Sequence, residues 1–273
     1  MKMNENLLAL DTETANGLDF PLPYDLGYKI FNRKGEVLRQ HSFCIYEIYV
    51  KEKELMASSY YADKLPEYEE ELKNGTRQLV KLYTARKTIL KEMEEFKITR
   101  VYAYNMNFDK RALNNDQKYI TENRYKFFFP YGTEFRCIWN MACQVLLARP
   151  SYIKMALKNS WISEKGNILT NAECCYRYLT KNPNFEEAHK GIDDVNIEME
   201  ILLACFRQHK KMNTEPYTAC WRLVQNKRKE MDIFNLKSKI VLTPEEMKKR
   251  HFTTWERMVY YLYHYKKSAD ALD

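Results

Sequence analysis

Three short stretches hold the side chains that could do chemistry: Asp11 and Glu13 in LLALDTET, Asp109 behind Asn105 in VYAYNMNFD, and His189 with Asp194 in AHKGIDD. Carboxylates brought together repel one another, and divalent cations are the usual means of neutralising such a group. Two cations held this way clamp a phosphodiester for in-line attack. An imidazole titrating near ~6.5 is a competent base at neutral pH. Taken singly, each residue has a plainer role. An Asp-x-Glu after an apolar run is often a cap or a loop, and an Asp in a first helical turn serves the helix dipole.

The chemistry depends on elements that would hold these side chains still. The apolar run 7–10 predicts a buried strand ending at Asp11, and strand alternation puts Asp11 and Glu13 on one face with Thr12 on the other. Residues 24–32 and 37–46 read as a hairpin about a turn at 33–36. Residues 47–74 are charged and irregular, with Pro66 inside, and read as a helical insertion or a lid. Asn74-Gly75 signals a turn, with Thr76 as N-cap of a helix running to about Phe96 and presenting Leu79, Leu82, Tyr83, Leu90 and Met93. A strand at 101–105 leads into a helix that opens around Phe108 and carries Asp109 in its first turn. Another strand lies within 127–139, broken near Pro130. Helices follow around 141–148, 171–179 and 194–208. In the last, Asp194 shares a face with Ile201 and Cys205 and points inward, while Asp193 suits the N-cap. An inward carboxylate needs a partner, and a metal would serve. The alternation predicts an α/β fold, a mixed sheet flanked by helices.

With these pieces in order, the chain resembles the DEDDh group of 3′→5′ exonucleases, the family of the proofreading subunit of bacterial DNA polymerase III. LDTET is similar to the family's strand-borne Asp-x-Glu-Thr, YNMNFD to its Asn-x-x-Phe-Asp, and HKGIDD to its His-x4-Asp with Asp194 as the acid. The likeness covers roughly residues 5–208. It implies an RNase H-like fold and two Mg²⁺ or Mn²⁺ ions held by Asp11, Glu13, Asp109 and Asp194. His189 would be the general base that takes a proton from the attacking water, releasing nucleoside 5′-monophosphates. Thr14, Leu18, Asn105 and Phe108 would contact substrate, Leu18 as a wedge against the terminal base. Two departures stand out: the segment from Glu13 to Leu18 is one residue longer than in the family, and Tyr104 stands where a histidine is common.

Composition narrows the class. The 273 residues are 45% hydrophobic, enough for a full core. No apolar stretch approaches the roughly 20 residues of a membrane span, and the N-terminus lacks the pattern of a signal peptide. Seven cysteines without a CxxC pair read as reduced thiols, which suits the cytoplasm. Residues 207–273 carry 15 Lys and Arg against 8 Asp and Glu, so the whole net charge of +7 lies in the last quarter. The expected organisation is an exonuclease domain over 1–208, with 47–74 inserted, and a basic, aromatic-rich helical extension over 209–273. That extension offers Trp255, Tyr260, Tyr261, Tyr263 and Tyr265 among Arg257, Lys266 and Lys267. Stacking on bases is one reading of them; the i, i+4, i+7 stripe Trp255, Val259, Leu262 favours packing.

The expected partners are single-stranded or frayed DNA 3′ ends, with a polymerase or other replication partner. RNA 3′ ends remain open, since the sugar is sensed by pocket shape. An endonuclease and a catalytically silent nucleic-acid- or polymerase-binding module on the same fold are the other readings.

Overall fold

The computed structural model describes residues 5–122 and 124–235 and the single positions 245 and 253. The aromatic tail from Trp255 to Tyr265 lies outside the described residues. Two compact units divide the chain, 1–224 and 225–273.

The first unit is built on six strands: β1 (Asn6–Ala15), β2 (Leu22–Asn32), β3 (Val37–Ile45), β4 (Gln78–Val80), β5 (Arg100–Ala103) and β6 (Glu134–Cys137). They form one mixed sheet in the order β4-β3-β2-β1-β5-β6. β1, β2 and β3 are antiparallel neighbours, whereas β4, β5 and β6 join parallel. The helices are α1 (Tyr46–Tyr49), α2 (Lys53–Ala57), α3 (Leu65–Asn74), α4 (Leu82–Glu95), α5 (Met106–Ile120), α6 (Ile138–Ala142), α7 (Pro150–Lys158), α8 (Ala172–Thr180), α9 (Gly191–Phe206) and α10 (Trp221–Asn235). A short 3₁₀ turn (Ala62–Lys64) precedes α3, and a π-helical turn (Cys143–Leu147) continues α6. The second unit begins at Gln225, inside α10.

The period of two in β1 sorts its side chains between layers. Leu8 and Leu10 join Leu26, Tyr28 and Ile30 of β2 in one buried cluster with Ala85, Ile89 and Met93 of α4 and Leu113 of α5. Leu7, Ala9, Asp11 and Glu13 point the other way, toward α9, which packs on β1 and β2. The expected mixed sheet flanked by helices is therefore present.

Two helix starts differ from the sequence expectation. Thr76 is not an N-cap: its N–H and hydroxyl both bond Asn74 Oδ1, closing a turn, and the chain then adds β4 beside β3. The helix begins only at Leu82, whose N–H is taken by Glu47 Oε2. Leu79 and Tyr83, expected on the buried face, are exposed, and Ala85 and Ile89 fill that face instead. Asp193 is not an N-cap either. The cap position of α9 is Lys190, without a side-chain cap, and the Gly191 N–H is taken by Asp25 Oδ2 from β2. Residues 47–74 are helical, through α1, α2, the 3₁₀ turn and α3. All seven cysteines are buried free thiols. Among the described residues no helix is long and apolar enough to cross a membrane.

Candidate metal and substrate site

Asp11 and Glu13 leave β1 on the face that meets α9, as alternation requires. Directly across from Asp11 on β2 is Gly27. The backbone of Gly191 passes so close there that a Cβ on residue 27 would sit 2.2 Å from the Gly191 carbonyl carbon. This contact seats the first turn of α9 against β1 and brings Asp194 to Glu13. One ligand atom each from Glu13, His189 and Asp194 lie within 4.8 Å of one another. Asp109 arrives from the other layer, in the first turn of α5, and its Oδ1 accepts a 2.9 Å hydrogen bond from Thr12 Oγ1. Thr12, turned away from Asp11 and Glu13, thus fixes the third acid.

The electrostatics follow from crowding in a buried place. Glu13 is pushed up to about 9, by burial and then by Asp194, Asp25, Glu187 and Asp109. Asp194 rises to about 8, by burial and then by Glu187 and Asp193. Asp109 rises to about 7 by burial, against the Thr12 hydrogen bond. Asp11 is also held well above the carboxylate range, by burial first and then by Glu198, Asp109, Glu13 and Asp194. Two oxygens here are buried without any hydrogen-bond partner, Asp194 Oδ1 and Glu198 Oε2. Buried carboxylate oxygens, some without a partner, are what a hard divalent cation takes, so the acids fit such an ion.

His189 sits just before α9 with φ of 54°, the left-handed region that few non-glycine residues adopt. Its ring stacks on Tyr61 from the 47–74 insertion, centroids 4.3 Å apart and 13° from parallel. Burial lowers its pKa below the ordinary imidazole value. The next residue, Lys190, is gripped by the insertion: its Nζ lies 3.1 Å from Glu67 and 2.7 Å from Glu71 on α3. Beneath this grip Asp25 accepts from Tyr68 Oη at 2.7 Å and Gly191 N at 2.9 Å, and pairs with the fully buried Arg77.

A cavity of about 650 Å³ opens beside Glu13, lined by Thr12, Thr14, Leu18, Phe108, Tyr60 and Tyr61 among others. Its size lies within the ~300–1,000 Å³ usual for ligand sites. Leu18 is 76% exposed, and Tyr60 is exposed at the rim. Of the residues named from sequence, the structure gathers Asp11, Glu13, Asp109, His189 and Asp194 at one end of the sheet, with Thr14, Leu18 and Phe108 along the cavity. Asn105 occupies the N-cap position of α5, exposed, with no side-chain cap bond, and is not among the lining residues.

Sequence reading passed over Glu198, Asp25, Glu187 and the pair Tyr60 and Tyr61. Glu198 had a signal, an acid four residues after Asp194 inside an apolar helical run. Asp25 had a weaker one, a lone carboxylate between Tyr24 and Leu26. Tyr60 and Tyr61 had none, since only the folded insertion carries them to the cavity.

No family model matches the chain, and no curated protein matches it. Among solved structures it is similar to Escherichia coli exonuclease I in complex with a dA16 oligonucleotide, with 15% identity and a TM-score of 0.48 over 85% of this chain and 43% of the other. A structure of exonuclease I described as suggesting how processivity is achieved gives 16% identity and a TM-score of 0.49, covering 85% and 44%. A zinc-bound form of the E. coli enzyme with single-stranded DNA gives 14% and 0.48, covering 85% and 45%. The chain spans less than half the length of each of these proteins, and what it binds or cleaves rests on its own residues.

Proposed function

We propose that this protein is a metal-dependent 3′→5′ exonuclease acting on single-stranded or frayed DNA ends. The observation that carries the reading is the meeting of Glu13, His189 and Asp194 within 4.8 Å, with Asp11 on the same strand and Asp109 held by Thr12, beside a cavity of about 650 Å³. Asp11, Glu13, Asp109 and Asp194 would hold two Mg²⁺ or Mn²⁺ ions. Such ions, when bound, neutralise the scissile phosphate and make water easier to deprotonate.

The chain's own groups do the rest. His189, neutral at pH 7 through burial, accepts the proton of the attacking water. Tyr61 and the Lys190 clamp hold its ring in place. Thr12 orients Asp109. The terminal nucleotide enters the cavity, its base against Leu18, Phe108 and Tyr60, with Thr14 contacting it through the backbone; Asn105 contacts the strand at the head of α5. The leaving 3′ oxygen departs with the shortened strand, and a nucleoside 5′-monophosphate is released.

The test is incubation with 5′-labelled single-stranded DNA, the matching RNA and a circular single strand, each with Mg²⁺, Mn²⁺ or EDTA. A metal-dependent ladder shortening from the 3′ end, absent with the circle and lost in Asp11→Ala, is the expected result. A ladder on RNA alone would make the protein an exoribonuclease, and cut circles an endonuclease. Binding without any cleavage would make it a silent nucleic-acid-binding module.

A further inference from the structure

A further cavity, of about 330 Å³, is walled by the rings of Tyr125, Phe127, Phe129, Tyr131 and Phe135. Its volume is near the lower end of the ~300–1,000 Å³ usual for ligand sites, room for one planar base. Tyr131 is fully exposed and Phe127 is 56% exposed. Single exposed apolar side chains are ordinary, but rings gathered around one hollow mark a binding surface. The segment that carries them is pinned. Phe128 N–H donates to Asn114 Oδ1 at 2.9 Å, Tyr125 Oη to the Phe129 carbonyl at 2.9 Å, and Arg86 Nε to the Phe128 carbonyl. Rings held out to solvent by a fixed backbone lose little freedom on meeting a ligand.

Helix α5 joins this cavity to the one beside Glu13. Phe108 lines the first, and Lys110 and Asn114 line the second. At ~100° per residue Phe108 and Lys110 fall on opposite flanks of the helix, with the exposed Arg111 between them. Arg111 Nη2 donates to the Leu18 carbonyl at 3.1 Å, at the edge of the first cavity, and Lys110 Nζ lies 4.3 Å from the centre of the Phe135 ring in the second. Lys118, also exposed, follows Asn114 by one turn. The acids of α5, Asp109 and Asp116, are both buried, so its outward face carries cations and no acid. Cations beside exposed rings suit a single nucleic-acid strand, whose phosphates pair and whose bases stack. A helix with its side chains is roughly 10–12 Å across, which a few nucleotides span. We propose that the rings around Tyr131, with Lys110, Arg111 and Lys118, form a second subsite for single-stranded DNA, holding the stretch 5′ to the terminal nucleotide. The direction of the strand rests on the exonuclease reading above. The strand leaves the cavity beside Glu13, crosses the outward face of α5 with its phosphates on the cations, and stacks a base on Tyr131 and Phe127.

The test is fluorescence anisotropy of a labelled dT strand of ~20 nucleotides in EDTA, where a metal-dependent enzyme cuts nothing. The full chain is compared with Tyr131→Ala, Phe127→Ala, Tyr131→Phe and the double variant Lys110→Gln with Lys118→Gln. Each alanine variant should bind ~5- to 100-fold more weakly, the loss of one stacked base, while Tyr131→Phe binds normally. The double variant should lower the slope of log affinity against log salt by ~1.4, or ~0.7 for each phosphate contact. Tyr131→Ala should melt with the unsubstituted protein, since its ring is outside the core. With Mn²⁺ the loss in the alanine variants should appear in KM for the same strand rather than in kcat. Equal affinity in all the proteins, or no binding by the unsubstituted one, would overturn the proposal. So would a dimer of the free protein that Tyr131→Ala separates, which would make the patch a self-association face. If binding falls in the variants but the unsubstituted protein cuts nothing with Mn²⁺, the exonuclease reading fails and the strand surface stands. Cutting from the 3′ end with binding unchanged in the variants has the opposite meaning.

Discussion

At the scale of single residues, the site works through groups that sequence alone would treat as interchangeable polar side chains. Burial lowers the pKa of His189 and so keeps its imidazole neutral, the form the proposed base needs, and Tyr61 lies flat against it. His189→Ala should lower kcat by ~10²- to 10⁴-fold while Mn²⁺ binding stays intact. Asp11→Ala and Asp194→Ala should instead lose Mn²⁺ binding and activity together. Equal, small effects in all three would dissolve the division of roles. Tyr61→Ala should cost ~3- to 10-fold in kcat, the worth of one aromatic stack, and Tyr61→Phe should cost nothing. The pH profile separates base from ligands. The neutral imidazole forms below its ordinary pKa, so at saturating metal the acid limb of kcat/KM should lie below pH 6.5. That limb should vanish in His189→Ala. Protons also compete with metal for Glu13, Asp109 and Asp194, and that part of the profile should move to lower pH as metal is raised.

At the scale of elements, tertiary capping decides where the site's helices begin. Sequence signals for a helix start are local, an Asn, Asp, Ser or Thr beside the first turn. Here the leading N–H of α4 is taken by Glu47 and that of α9 by Asp25, 35 and 166 residues away. Thr76 and Asp193 looked like caps because nothing in the sequence announces such remote acceptors. The α9 start also depends on Gly27, where backbone meets backbone. Gly27→Ala would place a methyl group 2.2 to 2.5 Å from Gly191 and Ile192 backbone atoms. It should cost ~1–3 kcal/mol or more in chemical denaturation, and it should weaken Mn²⁺ binding by moving Asp194. Unchanged metal affinity in a destabilised variant would show that the contact holds the fold without setting the site.

At the scale of the whole molecule, the carboxylate group is a stored repulsion. Glu13, Asp194 and Asp109 titrate at about 9, 8 and 7, all above their ordinary values near 4. A group whose folded pKa is raised adds stability below its unfolded pKa and loses it as pH climbs through the folded one. In EDTA the melting temperature should therefore fall between about pH 5 and pH 9. Saturating Mg²⁺ or Mn²⁺ should remove most of that slope, because cations stabilise the ionised form. A melting temperature in EDTA that is level across this range would mean that these acids are not crowded in solution.

The sequence by itself determined the strand-borne Asp11 and Glu13, the helix-borne Asp109 and Asp194, and the central hairpin. Periods of 2 and 3.6 in apolar residues act over a few positions and are written locally. Their chain order also carried the resemblance that pointed to two-metal chemistry. Only the tertiary structure decided the rest. It set Thr12 on Asp109, Tyr61 on His189, and Asp25 on the first turn of α9. Each of these contacts joins residues far apart in the chain. Such pairings arise from how layers close over the sheet, which no local period encodes.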